Sequence, residues 1–322
     1  MLIISLMNIA FWDNQLCERG TSVSLFDYAY YNQTLLNNKS YIFYDKNNKD
    51  NNNVIIEKFK QNFIVHEVND FKEVDEYLLK YNITHIYIIK SGELDSRLSM
   101  VAKNCIHCVF SCKQPHGEIY SSIAPWVEGN TGKYPIVPHM INLPKHDESM
   151  RTQLNIPPNA IVFGGYGGSQ NFNIPFVREV VYNVAKQNSH IYFLFANFSK
   201  FCLDLPNIIH LPMITDLHEK VKFINTCDAM IWGRKYGEIF SIAMGEFSIF
   251  NKPIISTIFC GGDLGHVYLL GKKALWYTNE TDLTQILLNF NPELEQKKDW
   301  NAYSEYNPEK VMNIFKKVYL DE

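Results

Sequence analysis

Short apolar, β-branched runs alternate with longer amphipathic stretches, and this alternation passes through the chain twice. The pattern predicts parallel sheets with helices on both faces, because a parallel strand needs a crossover helix to return the chain. In the first half, strands are expected at Leu2–Leu6, Ser40–Tyr44, Phe63–Val68, His85–Ile89, Ile106–Phe110 and Ile136–His139. Helices are expected at Ser22–Leu36, Phe71–Tyr81 and Leu94–Lys103. The second half restarts with strands at Ala160–Gly164, His190–Ala196, Ile208–Leu211, Ala229–Trp232, Pro253–Thr257 and Ala274–Tyr277. Its helices are expected at Pro175–Gln187, Asp216–Thr226, Glu238–Phe250, Asp282–Leu288 and Pro308–Tyr319. The fold class is therefore α/β, with two doubly wound, Rossmann-like domains facing each other, whose ligands bind at the carboxyl ends of the strands.

The boundary falls near Asn142–Asp147, bracketed by Pro135, Pro138 and Pro144. Residues 1–143 form the first domain and 144–303 the second. The terminal helix, within 304–322, is expected to pack back on the first domain. A chain of 322 residues, 46% hydrophobic, suffices for two cores of this size. Net charge is -4, which excludes nucleic acid as a partner on bulk electrostatics. No apolar run approaches the roughly 20 residues that span a bilayer, which leaves only peripheral membrane contact open. Met1–Met7 lacks a basic n-region and a cleavage site, so it reads as a buried strand and not a signal peptide. Seven cysteines on apparent core segments fit reduced thiols and a cytoplasmic location. The Asn-rich stretch from Asn47 to Asn53 reads as a polar surface loop.

The segment with most chemistry is Arg234-Lys-Tyr-Gly-Glu-Ile-Phe-Ser-Ile-Ala-Met-Gly-Glu246. Two carboxylates, Glu238 and Glu246, stand with seven residues between them on the expected helix, a rise of about 12 Å. Gly237 precedes them, and Arg234 and Lys235 stand just upstream. A helix N-terminus there offers N–H groups and a positive dipole to an anion. That spacing suits a nucleotide-sugar, with a diphosphate between its sugar and its ribose.

A second constellation is Phe163-Gly-Gly-Tyr-Gly-Gly-Ser169, between an expected strand and helix. Its Gly165, Gly167 and Gly168 could bring backbone N–H groups against oxyanions. Gly20 opens the loop after the first strand, with Arg19 beside it and Thr21 or Ser22 as the cap of the next helix. His116 follows the strand Ile106–Phe110, at a carboxyl end where a neutral imidazole could contact a sugar hydroxyl or the acceptor. Cys105, Cys108, Cys112 and His116 do not read as a zinc set, because alternation turns Cys105 and Cys108 to opposite faces.

The stretch from Asp228 through Glu238 and Glu246 to Ile255 resembles the C-terminal-domain signature of the GT-B glycosyltransferases of family 4, a Glu, seven residues and a second Glu. The resemblance implies a GT-B fold, two Rossmann-like domains across a cleft. It implies an acceptor domain over 1–143 and a nucleotide-sugar domain over 144–303. It implies that Glu246 binds the ribose hydroxyls, and that Glu238 lies by the donor sugar and diphosphate. The amides of Ile239, Phe240 and Ser241 would hold that diphosphate, the loop at Arg19 and Gly20 would meet the donor, and His116 would touch the donor sugar. One departure stands out: Ser169, Gln170 and Asn171 occupy the place where the family carries an Arg and a Lys. Either Arg234 and Lys235 supply that charge or backbone dipoles do.

The activity implied is a retaining transfer of a sugar from a nucleotide-diphosphate donor to a glycan or other hydroxyl acceptor. UDP is favoured over GDP by family frequency. The donor is a substrate, and with no Asp-x-Asp motif neither cofactor nor metal is expected. The rival readings are a nucleotide-sugar epimerase of the same architecture and a catalytically silent sugar-binding protein.

Overall fold

The computed structural model describes residues 6–321, and the chain divides into two compact units, 1–140 with 306–322 and 141–305. Each unit holds one six-stranded sheet whose paired strands all run parallel.

The first unit runs β1 (Asn8–Asp13), α1 (Gly20–Thr34), β2 (Lys39–Asp45), α2 (Asn53–Lys60), β3 (Ile64–Val68), a 3₁₀ turn (Phe71–Glu73), α3 (Val74–Lys80), β4 (His85–Lys90), β5 (Lys103–Cys108) and β6 (Ile119–Ser122). Its sheet order is β3-β2-β1-β4-β5-β6, which reverses direction between β1 and β4. Strand β1 reads Asn-Ile-Ala-Phe-Trp-Asp and is buried along nearly its whole length, as a central parallel strand covered on both faces must be. The expected strand Leu2–Leu6 lies outside the described residues except for Leu6, which is irregular. The terminal helix packs in this unit: Phe315 stacks on Phe11 and Tyr28, and Tyr319 meets Tyr87 edge-on.

Three expectations in this unit fail. Leu94–Lys103 is not helical. The Asp95 carboxylate accepts from Arg97 N, Ser99 Oγ from Val101 N and Ala102 N, and Asn104 Oδ1 from Ser99 N. Short polar side chains thus capture the backbone locally and replace the helical ladder. Ile136–His139 makes only an isolated bridge, Ser122 to Ile136, since Pro135 and Pro138 have no N–H to donate to a ladder. The Asn-rich stretch is not all loop either, because Asn52 Oδ1 accepts from Val54 N at 2.9 Å and so caps α2.

The second unit runs β7 (Ile161–Tyr166), α4 (Pro175–Gln187), β8 (Ile191–Ala196), β9 (Ile208–Leu211), α5 (Leu217–Thr226), β10 (Ala229–Ile231), α6 (Ile242–Ile249), β11 (Ile254–Thr257), α7 (Gly265–Leu270), β12 (Leu275–Tyr277), α8 (Glu280–Leu288) and α9 (Pro292–Glu295). The chain ends in α10 (Pro308–Tyr319), the terminal helix of the first unit. The order of the second sheet is β12-β11-β10-β7-β8-β9, so its direction reverses between β10 and β7. No helix among the described residues is long and apolar enough to cross a membrane.

Candidate functional site

The loops leaving β7 and β10 flank the reversal point of the second sheet, at the carboxyl ends where open α/β sheets bind ligands. The β10 loop carries the first candidate carboxylate. Gly237 adopts φ +67°, and a Cβ there would lie 1.9 Å from the Asp263 carbonyl oxygen, so only glycine fits. This close approach lets Glu238 N donate to Asp263 O at 3.1 Å and to His266 Nδ1 at 3.3 Å.

Glu238 is therefore pinned to a neighbouring loop and does not begin the helix. The first helical residue is Ile242, after Ser241 in a left-handed conformation (φ 59°) with its Oγ accepting from Met244 N. The expectation of one helix over Glu238–Phe250 is corrected on this ground, and with it the 12 Å axial rise. The helical N–H groups of the first turn belong to Ile242 and Ala243, not to Ile239 and Phe240, whose side chains are buried.

Glu238 Oε1 accepts from Arg234 Nη1 at 2.8 Å, with the carboxylate 13% exposed. Burial raises the Glu238 pKa, and the Arg234 charge and hydrogen bond oppose that rise. Lys235 is exposed, its backbone held by Asn173 Oδ1 and Gly261 N. His266 is buried. Its Nε2 faces Thr257 O at 3.0 Å, which assigns the proton to Nε2 and leaves Nδ1 to accept from Glu238 N. Burial lowers the His266 pKa and keeps the ring neutral for that role.

Glu246 sits on α6 and is 4% exposed. Tyr166 Oη donates to its Oε2 at 2.6 Å, and Lys220 Nζ, from α5, to its Oε1 at 2.9 Å. Lys220 also lies over the Tyr166 ring, 5.6 Å from its centroid. Neither partner was singled out in the sequence. Lys220 stands 26 positions away with no motif around it, and Tyr166 was hidden among the glycines.

Two glycines of that segment have a packing role. Strand β7 extends through Tyr166, so Gly164 and Gly165 lie within the sheet. A Cβ on Gly164 would meet Cys227 Sγ at 2.2 Å, and one on Gly165 would meet Ile231 O at 2.8 Å. Close packing accounts for both. Gly167 packs on Trp232 and Phe198, and Gly168 approaches Asn171.

In the first unit, Arg19 is the N-cap residue of α1 and Gly20 its first helical residue, so Gly20 does not open the loop as expected. Ser22 is no cap. Its hydroxyl donates to Asp13 Oδ2 at 2.5 Å, and Arg19 Nη2 lies 3.5 Å from Asp13 Oδ1. Burial raises the Asp13 pKa, against the Ser22 hydrogen bond and the Arg19 charge. Arg19 also lines a polar surface pocket with Gln15, Glu18, Lys49 and Asp50.

His116 is not at a carboxyl end. Strand β5 ends at Cys108, and the chain has turned back by His116. A Cβ on the adjoining Gly117 would lie 2.9 Å from Asn104 O, and Glu118 accepts from Asn104 N at 2.6 Å. Asn104 is the second residue of β5, so this loop lies beside the amino end of the sheet. All seven cysteines are free thiols.

No family profile matches this sequence. No curated protein matches it either. Solved structures do match in fold. A glycosyltransferase from Rickettsia africae superposes with a TM-score of 0.70 at 13% identity, over 99% of this chain and 100% of that one. Anabaena Alr3699/HepE in complex with UDP-glucose gives 0.71 at 12% identity, over 97% and 99%. A Listeria monocytogenes protein assigned as a UDP-N-acetylglucosamine 2-epimerase gives 0.60 at 11%, over 97% and 96%. The chain has the GT-B fold, with two Rossmann-like units.

Proposed function

We propose that this chain is a retaining glycosyltransferase that uses a nucleotide-diphosphate sugar, with UDP as the nucleotide. The observation that carries the reading is the setting of α6. A half-buried Glu238 precedes its N-terminus, a buried Glu246 follows one turn into it, and both stand beside the reversal point of the sheet. The Anabaena structure of the same fold, with its UDP-glucose, supports the choice of donor.

In this reading Glu246 accepts from the ribose hydroxyls, and Glu238 meets the donor sugar. The Ile242 and Ala243 N–H groups, at the positive end of α6, take the diphosphate. Arg234 and Lys235 neutralise the leaving group as negative charge develops on it. Because Arg234 is also bound to Glu238, Lys235 carries the larger share. The acceptor hydroxyl attacks the anomeric carbon from the face the diphosphate leaves, and the departing phosphate takes its proton. Such a mechanism calls for no metal and no separate base. His116 has no part in it.

The epimerase reading draws support from the Listeria structure. Incubation with UDP- and GDP-sugars separates the two. Slow release of free UDP supports the transferase, and an epimerised sugar still joined to its nucleotide would replace it. Binding without turnover across a broad acceptor panel would favour a silent sugar-binding protein. The residue-level test is Glu246→Ala, which should abolish nucleotide binding by a folded protein; unchanged affinity would refute the ribose assignment.

A further inference from the structure

The segment that enters the second unit runs along α5 and is fastened there by side chains of that helix. Asn225 Nδ2 donates to His146 O at 2.7 Å and to Glu148 O at 3.0 Å, and Met150 N donates to Thr226 Oγ1 at 2.7 Å. Between these anchors the His146 ring stacks on the His218 ring, with centroids 3.8 Å apart. His218 Nε2 lies 3.3 Å from Glu148 Oε1. One donor atom from each of His146, Glu148 and His218 lies within 4.8 Å of the others. None of the three belongs to the site at α6.

We propose that His146, Glu148 and His218 form a divalent transition-metal site, suited to zinc, that ties this segment to the first turns of α5. The donor set supports it. Two imidazoles and one carboxylate favour zinc and its neighbours over magnesium or calcium, which take oxygen ligands. With metal–ligand bonds of 2.0–2.1 Å, two ligands of a tetrahedral zinc stand about 3.3 Å apart, the separation His218 Nε2 and Glu148 Oε1 already have. The stacked rings aim their lone pairs nearly parallel, so one of the two imidazoles must turn out of the stack as the ion binds.

The surrounding hydrogen bonds fit in the same way. His146 Nε2 lies 3.2 Å from the His218 carbonyl, so that nitrogen carries the proton and Nδ1 presents its lone pair. A ligating histidine commonly fixes its tautomer by donating its other N–H to a carbonyl or carboxylate. The contact held by Nδ1, from Glu148 N at 3.3 Å, is long and readily given up.

One competitor is present. Lys222 Nζ lies 3.1 Å from Glu148 Oε2, but it also lies 2.9 Å from Glu219 Oε1. It can therefore release Glu148 and keep a partner. Three protein ligands at the surface leave the fourth position to water.

The test uses the full chain, stripped with a chelator and titrated with Zn²⁺ against a chromogenic competitor. One equivalent should bind and raise the unfolding midpoint. His218→Ala and Glu148→Gln should each weaken binding about tenfold or more. Lys222→Ala should tighten it, an effect that adventitious binding elsewhere would not show. Co²⁺ in place of Zn²⁺ should give a tetrahedral spectrum without thiolate charge-transfer bands. The proposal is overturned by any of three outcomes: no saturable binding, binding indifferent to all three variants, or thiolate bands, which would place the metal on cysteine. In the first case the His218–Glu148 contact is an ion pair only. These readouts do not depend on any transferase activity.

Discussion

Lys220 Nζ stands 2.9 Å from Glu246 Oε1, the lysine side chain 13% and the glutamate 5% exposed. Tyr166 holds the other carboxylate oxygen. Each oxygen thus has one partner and keeps lone-pair capacity, since a carboxylate offers about four acceptor sites. The arrangement fixes the carboxylate without saturating it, which the proposed contact with ribose hydroxyls requires.

Lys220→Met should therefore separate stability from function. It strands a buried carboxylate with one hydrogen bond, and breaking a pair of this kind costs about 3 kcal/mol. Adding Glu246→Gln removes the stranded charge and should recover much of that loss, while nucleotide binding stays low. Urea denaturation and equilibrium binding of UDP on the two variants check this. Equal destabilisation by the single and double variants would show that the pair does not act as a unit.

Arg234 and Lys235 are adjacent but differently engaged, and their variants should differ in kind. Arg234 lowers a Glu238 pKa that burial has raised. In Arg234→Ala that opposition is gone, so Glu238 protonates at higher pH, and the acid limb of kcat/KM should move upward. Lys235→Ala leaves Glu238 as it is and should lower kcat with little change in the acid limb. The pH–rate profile of nucleotide release from a UDP-sugar distinguishes them. Coincident acid limbs in both variants would remove Arg234 from the control of Glu238.

What the sequence made legible was what local chemistry decides. Helices α4 and α10 begin at Pro175 and Pro308, and both match the expected bounds, because proline at the first helical position is a local signal. Strand β9 was read to the residue for a similar reason, a short apolar run with Pro206 and Pro212 just outside it. The failures are long-range. Nothing near Glu238 announces that Asp263 O and His266 hold its N–H, so the helix begins four residues later than the local pattern predicts. Gly164 and Gly165 look like a phosphate loop until Cys227 and Ile231 are seen against them. The two carboxylates and the Arg234 partner of Glu238 are legible in one local segment, whereas the Glu246 partners Lys220 and Tyr166 come from other elements of the second unit.

Gly164 gives a stability test of the packing explanation. Gly164→Ala forces a methyl to 2.2 Å from Cys227 Sγ and should cost about 1–3 kcal/mol. Cys227→Ala removes the obstructing sulfur and leaves the Leu194 carbonyl oxygen at 3.2 Å, a contact that a shift of a few tenths of an ångström relieves, and the Cys227 Cβ at 3.4 Å. The double variant should thus be more stable than the sum of the two single losses implies. Chemical denaturation of the four proteins in this cycle measures the coupling. Strict additivity would mean the glycine is required for something other than room.

The first unit should lose stability on mild acidification through two buried histidines. His107 is fully buried, with Nδ1 2.6 Å from Tyr87 Oη, and its pKa is pushed well below the ordinary value by burial and by His139. Burial pushes His139 down to about 3. Both rings stay neutral in the folded chain at pH values where the unfolded chain protonates them. The unfolded state then binds more protons, so stability falls as pH drops below about 6.5, and for His139 it continues to fall toward pH 3. Each histidine contributes a slope of up to about 1.4 kcal/mol per pH unit within that window. Urea midpoints at pH 7, 6 and 5 measure the slope, and carboxylates titrating over the same range are removed by comparison with a His139→Phe variant. The variant should lose one histidine's share of the acid sensitivity; an unaltered slope would show that His139 is not among the groups that acid must protonate.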